Sequence, residues 1–281
     1  MWGARRTDII EPLPMGERRL LALKNMVKVY GERRVVDGVS LEVRTSEVVG
    51  LLGKNGAGKT TTFRMAVGMI RPTAGAVLFG GGDVTRKAMY ERARMGLGYL
   101  PQEHSVFAGL TARENIEAVL ELRGGSGARR RRERTEKLLA ELGLQKAAGT
   151  KAGSLSGGEK RRLEIARALA TEPKIFLLDE PFTGIDPIAI AEIKEIVAGL
   201  ARRGIGVLIT DHNVRDTLTI VERAYILEEG RILASGRPWE LVKSELVRSV
   251  YLGEGFEASF EEEMKRWRRA RESEDVAEEK T

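Results

Sequence analysis

The chain has 281 residues, 42% of them hydrophobic, which is enough for one sizeable core or two closely packed subdomains, and its lack of cysteine excludes disulfide staples and thiolate metal sites. No stretch approaches the ~20 uninterrupted apolar residues that span a bilayer, and residues 1–20 lack the apolar run of a signal peptide, so the chain is expected to stay in the compartment where it is made. Lys and Arg number 47 against 41 Asp and Glu, and the resulting +6 reads as a well-solvated surface, with attraction to anionic headgroups or nucleic acid as the alternative.

Residues 1–19 are irregular and rich in Pro and Arg. Residues 20–43 alternate apolar and polar positions and break at Gly31 and Gly38, as antiparallel strands would. Val48-Val49-Gly50-Leu51-Leu52 then reads as a buried strand that runs into Gly53-Lys54-Asn55-Gly56-Ala57-Gly58-Lys59-Thr60 and, with Thr61, into a helix. The spacing G-x-x-x-x-G-K-[ST] is that of a phosphate loop. Its glycines let backbone N–H groups turn inward around a β-phosphate, and the helix start adds its positive dipole end. Lys59 would reach the β- and γ-phosphates, and the Thr60 hydroxyl would sit on Mg²⁺.

A strand over residues 97–100 leads to Gln102, and between about 103 and 171 the strand signal disappears. Thr111 and Glu114 have capping-box spacing and open a helix through residue 122. Gly124-Gly125-Ser126-Gly127 is a flexible break before a second helix over 128–142, where the run Arg129 to Arg132 reads as a solvated helix start. Leu155-Ser156-Gly157-Gly158-Glu159 then offers a serine hydroxyl and two glycine amides at the start of a third helix. That is a second anion-binding device in a chain that already has one. A head-to-tail dimer, in which this loop caps the γ-phosphate held by the other copy, gives both a use.

Ile175-Phe176-Leu177-Leu178 is another buried strand, ending in Asp179 and Glu180. Open α/β sheets bind ligands at this carboxyl edge. Asp179 would hold Mg²⁺ through its water shell, and Glu180 would polarise the water that attacks the γ-phosphate. A helix over 187–203 stops at Gly204, and Val207-Leu208-Ile209-Thr210 is a further strand. From Gly255 onward the chain mixes acidic and basic blocks, a tail that reads either as an ion-paired helix or as disordered.

Taken together these residues resemble the ABC ATPases. Leu155 to Glu159 looks like their signature sequence, and the remaining motifs occur in the same order over residues 20–253. The resemblance implies an α/β fold, a P-loop NTPase core with an antiparallel β subdomain and a helical subdomain at about 103–171, between an extension over 1–19 and a charged tail over 254–281. It implies that Tyr30 stacks on adenine, that Gly53 to Thr61 cradle the phosphates, and that Thr60, Gln102 and Asp179 hold Mg²⁺. Lys59, Glu180 and His212 are then the catalytic set, His212 being the switch histidine. Ser156, Gly157, Gly158 and Asp186 close the nucleotide held by the second copy.

Residues 33–36, 98–103, 178–182, 210–215 and 222–226, with the ending Val250-Tyr251-Leu252-Gly253-Glu254, are more closely similar to the lipopolysaccharide-export ATP-binding subunits of Gram-negative bacteria. This implies a homodimer on the cytoplasmic face of the inner membrane, beneath two permease subunits, with ATP and Mg²⁺ as ligands and no nucleic acid. The chain departs from that family at Lys54, where proline is usual, and at Ala108, where an arginine is expected after the groove-lining Phe107. The nearest rival is the ATP-binding subunit of a branched-chain amino-acid importer. A soluble ABC protein working on ribosomes or DNA fits less well, because this chain has one cassette and no zinc or coiled-coil insertion. A non-hydrolysing subunit is opposed by intact Lys59, Glu180 and His212.

Overall fold

The computed structural model describes residues 19–125, 127–253, 256, 260 and 261, so the terminal extension before Arg19, Ser126 of the glycine break and most of the charged tail lie outside it. In chain order the elements are β1 (Arg19–Tyr30), β2 (Arg33–Arg44), β3 (Val48–Gly53), α1 (Lys59–Val67), β4 (Ala74–Phe79), β5 (Gly82–Asp83), α2 (Met89–Met95) and β6 (Leu97–Leu100). Then follow α3 (Ala112–Arg123), α4 (Ala128–Glu141), α5 (Gly157–Leu169), β7 (Ile175–Asp179), α6 (Pro187–Arg202), β8 (Gly206–Thr210), α7 (Val214–Ile220), β9 (Arg223–Glu228), β10 (Arg231–Gly236) and α8 (Pro238–Lys243). Among the described residues no helix is long and apolar enough to cross a membrane.

The strands form two sheets. One is antiparallel, in the order β2-β1-β4-β5. The other has the order β10-β9-β3-β8-β7-β6 and is parallel except for its β9–β10 edge. The central strands are apolar until the last residues of β7 and β8, Asp179 and Thr210, because both faces are covered. Val49, Leu51, Ile175, Leu177 and Leu208 face one core with α1 and the antiparallel sheet, and Val48, Leu52, Phe176, Leu178 and Val207 face the other with α3, α5 and α6.

Gly38 does not end a strand. It lies inside β2 at φ 74°, where the β1–β2 register slips between Met26↔Val39 and Val27↔Asp37, so the expected break is a bulge. Thr111 caps α3 as its spacing predicts, accepting the Glu114 N–H at 3.2 Å while its own N–H donates to the Glu114 carboxylate at 2.7 Å.

The helix that carries the phosphate loop, α1, is anchored at its far end by Arg92 of α2, which is 1% exposed. The Arg92 guanidinium donates to the carbonyls of Met65 at 2.8 Å, Ala66 at 2.6 Å, Thr85 at 3.0 Å and Lys87 at 3.1 Å. The first two are last-turn carbonyls of α1, and that of Met65 also accepts the N–H of the C-cap Gly68 at 3.2 Å. Arg92→Met should therefore destabilise the protein by roughly 3 kcal/mol or more, read as a lower urea midpoint, whereas a loss under about 1 kcal/mol would show that water replaces the guanidinium.

Candidate active site

β3, β7 and β8 end side by side, and the loops that leave them bring the predicted residues together. Gly53 ends β3 and Gly58 caps α1, both in backbone conformations that side chains rarely adopt. A Cβ on Gly53 would lie 2.2 Å from the Leu227 carbonyl oxygen, and one on Gly58 would lie 2.7 Å from that of Val35, so neither position admits a larger residue. Lys59 is buried at the first position of α1, where its ammonium donates to the carbonyls of Gly53 at 2.7 Å and Lys54 at 3.0 Å. Burial lowers its pKa, against the opposing pull of Glu180, Asp179 and Asp211. Thr60 and Thr61 are half-buried on the same turn.

Asp179 is the last residue of β7. Its Oδ2 accepts the Tyr99 hydroxyl at 3.2 Å, while its Oδ1 is buried with no partner. Burial pushes this carboxyl up to about 6, with the neighbouring Glu180 adding to the shift and Tyr99, Arg64 and Arg161 opposing it. Glu180 follows at φ 52°, a strained value for a glutamate that turns its side chain toward two loops. Its Oε1 lies 2.8 Å from His212 Nε2, and its Oε2 accepts the Gln102 amide at 2.6 Å.

The other predicted residues sit elsewhere on this surface. Ser156 is exposed at the start of α5, where its hydroxyl and N–H bond Glu159 at 2.8 and 2.9 Å in a capping box. A Cβ on Gly157 would meet the Gly184 carbonyl oxygen at 3.4 Å, and one on Gly158 would lie 2.6 Å from the Ala189 Cβ. Gly158 is therefore needed for the contact of α5 with α6. Asp186 caps α6, accepting the N–H groups of Ile188 and Ala189 at 3.0 Å, and these bonds hold its carboxyl below the usual range. Within one chain Ser156 bonds Glu159, the two glycines lie against residues 184–189, and Asp186 bonds the start of α6. Tyr30 ends β1 half-exposed, with the Lys28 ammonium 5.0 Å above its ring. Lys54 points away from Lys59 and sits 3.9 Å from Glu228. With Arg33, Arg34, Asn55, Gly56 and Glu229 these two line a groove of about 430 Å³ beside the phosphate loop.

Sequence reasoning missed Arg161. Its guanidinium donates to the carbonyls of Asp179 at 3.0 Å, Glu180 at 2.9 Å, Pro181 at 3.3 Å and Pro101 at 2.9 Å, and to Glu164 at 3.0 Å. Glu164 in turn accepts the Ser105 N–H at 2.6 Å and lies 3.1 Å from His104 Nδ1, so α5 grips the segment that carries Gln102. The one signal in the sequence is helical spacing, which puts Arg161 and Glu164 on the buried stripe of α5 with Gly158 and Ile165.

Comparisons with known proteins agree with this geometry. Residues 36–183 match the family model described as ABC transporter. The chain is 57% identical over 238 residues to the lipopolysaccharide export system ATP-binding protein LptB of Acidithiobacillus ferridurans, covering 85% of this chain and 98% of that one. It is 50% identical over 236 residues to the protein of the same name from Escherichia coli strain K12, covering 84% and 98%. The ADP conformation of MJ1267, an ATP-binding cassette of an ABC transporter, superposes with a TM-score of 0.75 at 31% identity, covering 84% of this chain and 99% of that one. The dimeric structure of MJ0796, a bacterial ABC transporter cassette, does so at 0.71 and 28%, covering 78% and 99%. With its two-sheet core, phosphate loop and carboxyl pair, the chain belongs to the ABC transporter family as an ATP-binding cassette, an ATPase whose hydrolysis powers transport.

Proposed function

We propose that this cassette drives lipopolysaccharide out of the inner membrane, as a head-to-tail homodimer held on the cytoplasmic face by two permease subunits. The observation that carries the cargo is the 57% identity to a lipopolysaccharide-export protein, which extends over 98% of that protein's length. The exposed ring of Phe107, with the Arg167 guanidinium 4.3 Å above it, supplies an apolar and cationic surface where a permease helix would dock.

ATP would lie along the phosphate loop with its adenine on Tyr30, a use of the ring face that tolerates any base. A phosphate oxygen offers Lys59 a charge-assisted partner stronger than the two carbonyls it now holds. The buried, unpartnered Oδ1 of Asp179 fits a hydrated Mg²⁺, with Thr60 and Gln102 completing the set; the ion would neutralise charge on the β- and γ-phosphates. Glu180 is the proton acceptor for the attacking water. Its Oε2 accepts both the Gln102 amide and, at 3.4 Å, the Thr183 hydroxyl, so one of these donors must give way before that oxygen can take a proton, while His212 keeps Oε1 in place. Ser156, Gly157, Gly158 and Asp186 would close the site from the second copy, so that dimer closure and hydrolysis are one cycle.

Glu180→Gln should retain ATP binding, trap the closed dimer and lower hydrolysis by roughly 10²-fold or more, and undiminished phosphate release would remove Glu180 from this role. Mixing a Ser156→Arg subunit with a Lys59→Ala subunit should restore turnover, because each heterodimer keeps one intact composite site; a mixture as inactive as its parents would argue against trans action. The cargo is tested by pull-down from detergent-solubilised native membranes. Two permeases with large periplasmic domains are expected, and importer permeases would move the assignment to amino-acid uptake.

A further inference from the structure

Asp211 stands between the last residue of β8 and His212, and nothing above gives it a task. It is 1% exposed. Its Oδ2 accepts the Phe182 N–H at 2.8 Å and its Oδ1 accepts the Asn213 N–H at 2.9 Å. Phe182 lies two residues beyond Glu180, and Asn213 lies one residue beyond His212. One carboxylate thus joins the loop leaving β7 to the loop leaving β8, just past the two side chains that meet at 2.8 Å. The β7–β8 pairing has already run out there: its last backbone link is the Glu180 N–H to the Thr210 carbonyl at 2.8 Å.

A neutral acceptor could bond one of these N–H groups without difficulty. An aspartate here carries a burial cost and faces Glu180, a like charge, which together push its carboxyl up, against the two N–H bonds and His212. What the carboxylate adds is two charge-assisted bonds from a single side chain, which fix both loops at once. Asn213 has its own anchor, since its side chain accepts the Asp216 N–H at 3.2 Å and caps α7, so the link made by Asp211 ends on a rigid helix start.

We propose that Asp211 is a positioning residue for hydrolysis, locking the two loops so that the His212 imidazole is held against the Glu180 carboxylate. This rests on the roles given above to Glu180 and His212. Both Asp211 oxygens are taken by backbone N–H groups, so its loss falls chiefly on turnover, and only its pull on the Lys59 ammonium reaches ATP affinity.

The test compares the full-length homodimer with its Asp211→Asn, Asp211→Ser and His212→Ala variants and the Asp211→Asn/His212→Ala pair. Asp211→Asn should lower kcat by about tenfold and leave ATP affinity within about threefold. Because the chain has only two histidines, His104 and His212, their ring signals can be told apart by NMR. The His212 signals should shift and broaden in Asp211→Asn while those of His104 stay in place, which a general loss of packing would not produce. In the His212→Ala background the Asp211 substitution should change turnover by less than about twofold. Unchanged His212 signals, a raised KM at constant kcat, or losses that multiply in the double variant would each overturn the proposal while leaving His212 its role. Full activity of His212→Ala would instead remove that role, and the proposal with it. If neither Asp211 variant folds into nucleotide-binding protein, Asp211 is a folding group and the proposal is wrong.

Discussion

Lys59, Asp179, Glu180 and Asp211 all sit at the carboxyl edge of the parallel sheet, nearly sealed from water. Among these four there is one cation for three acids, each having lost most of its hydration, with Arg64 and the buried Arg161 as further positive charges. The strain appears in both directions: the Lys59 ammonium is easier to deprotonate than usual, and the Asp179 carboxyl is harder to ionise. Such a cluster survives only if the backbone around it cannot relax to let water in. The sheet supplies that rigidity. Its central strands are packed on both faces, and Arg161 then fastens the carbonyls of Asp179, Glu180 and Pro181 to α5. A phosphate chain with its counter-ion would bring charges of both signs into this edge, which is the physical argument for the nucleotide site proposed there.

The same constraint explains the backbone of Glu180. An extended residue after β7 would continue the strand and send its side chain to one face of the sheet. At φ 52° the chain turns instead, at a cost of about 1 kcal/mol, and the carboxylate reaches Gln102 on one side and His212 on the other. Those two come from loops 110 residues apart in the chain, after β6 and β8, strands that flank β7 directly. Sheet order therefore does what sequence proximity cannot, and an arginine from a fourth segment holds the arrangement from behind.

Much of this was legible in the sequence, and the reason differs from element to element. The phosphate loop announces itself because its glycines are required by close backbone approach, as the 2.2 Å and 2.7 Å contacts of added Cβ atoms show at Gly53 and Gly58. The buried strands were readable because a sheet covered on both faces runs nearly without polar positions until its carboxyl edge. Gly38 was misread because a glycine in a strand pattern marks either a break or a bulge, and only the partner strand's register decides. Arg161 was unreadable for a different reason. In a run Lys160-Arg161-Arg162 a cation looks solvated, and its burial depends on carbonyls from Pro101 and from 179–181, which the sequence cannot bring together. Tyr99 was hidden in the same way, its hydroxyl meeting Asp179 across adjacent strands.

The cap that Ser156 makes and the trans role proposed for it are compatible. Its hydroxyl already bonds Glu159, so a phosphate of the second copy would have to take that hydrogen. Glu159 would still hold the Ser156 N–H, and the Ser156 oxygen would still accept the Glu159 N–H, so the cap on α5 survives the exchange. What is surrendered is one bond to a solvated carboxylate at an exposed helix end, a net loss of about 1 kcal/mol. What would replace it, on the proposed trans role, is a bond to a phosphate oxygen at the positive end of α5, in a gap that dimer closure would dry. On the proposed trans role, the capping box would prepare the loop for its ligand: it fixes the serine at the helix start, and only the hydrogen that a phosphate needs would be given up.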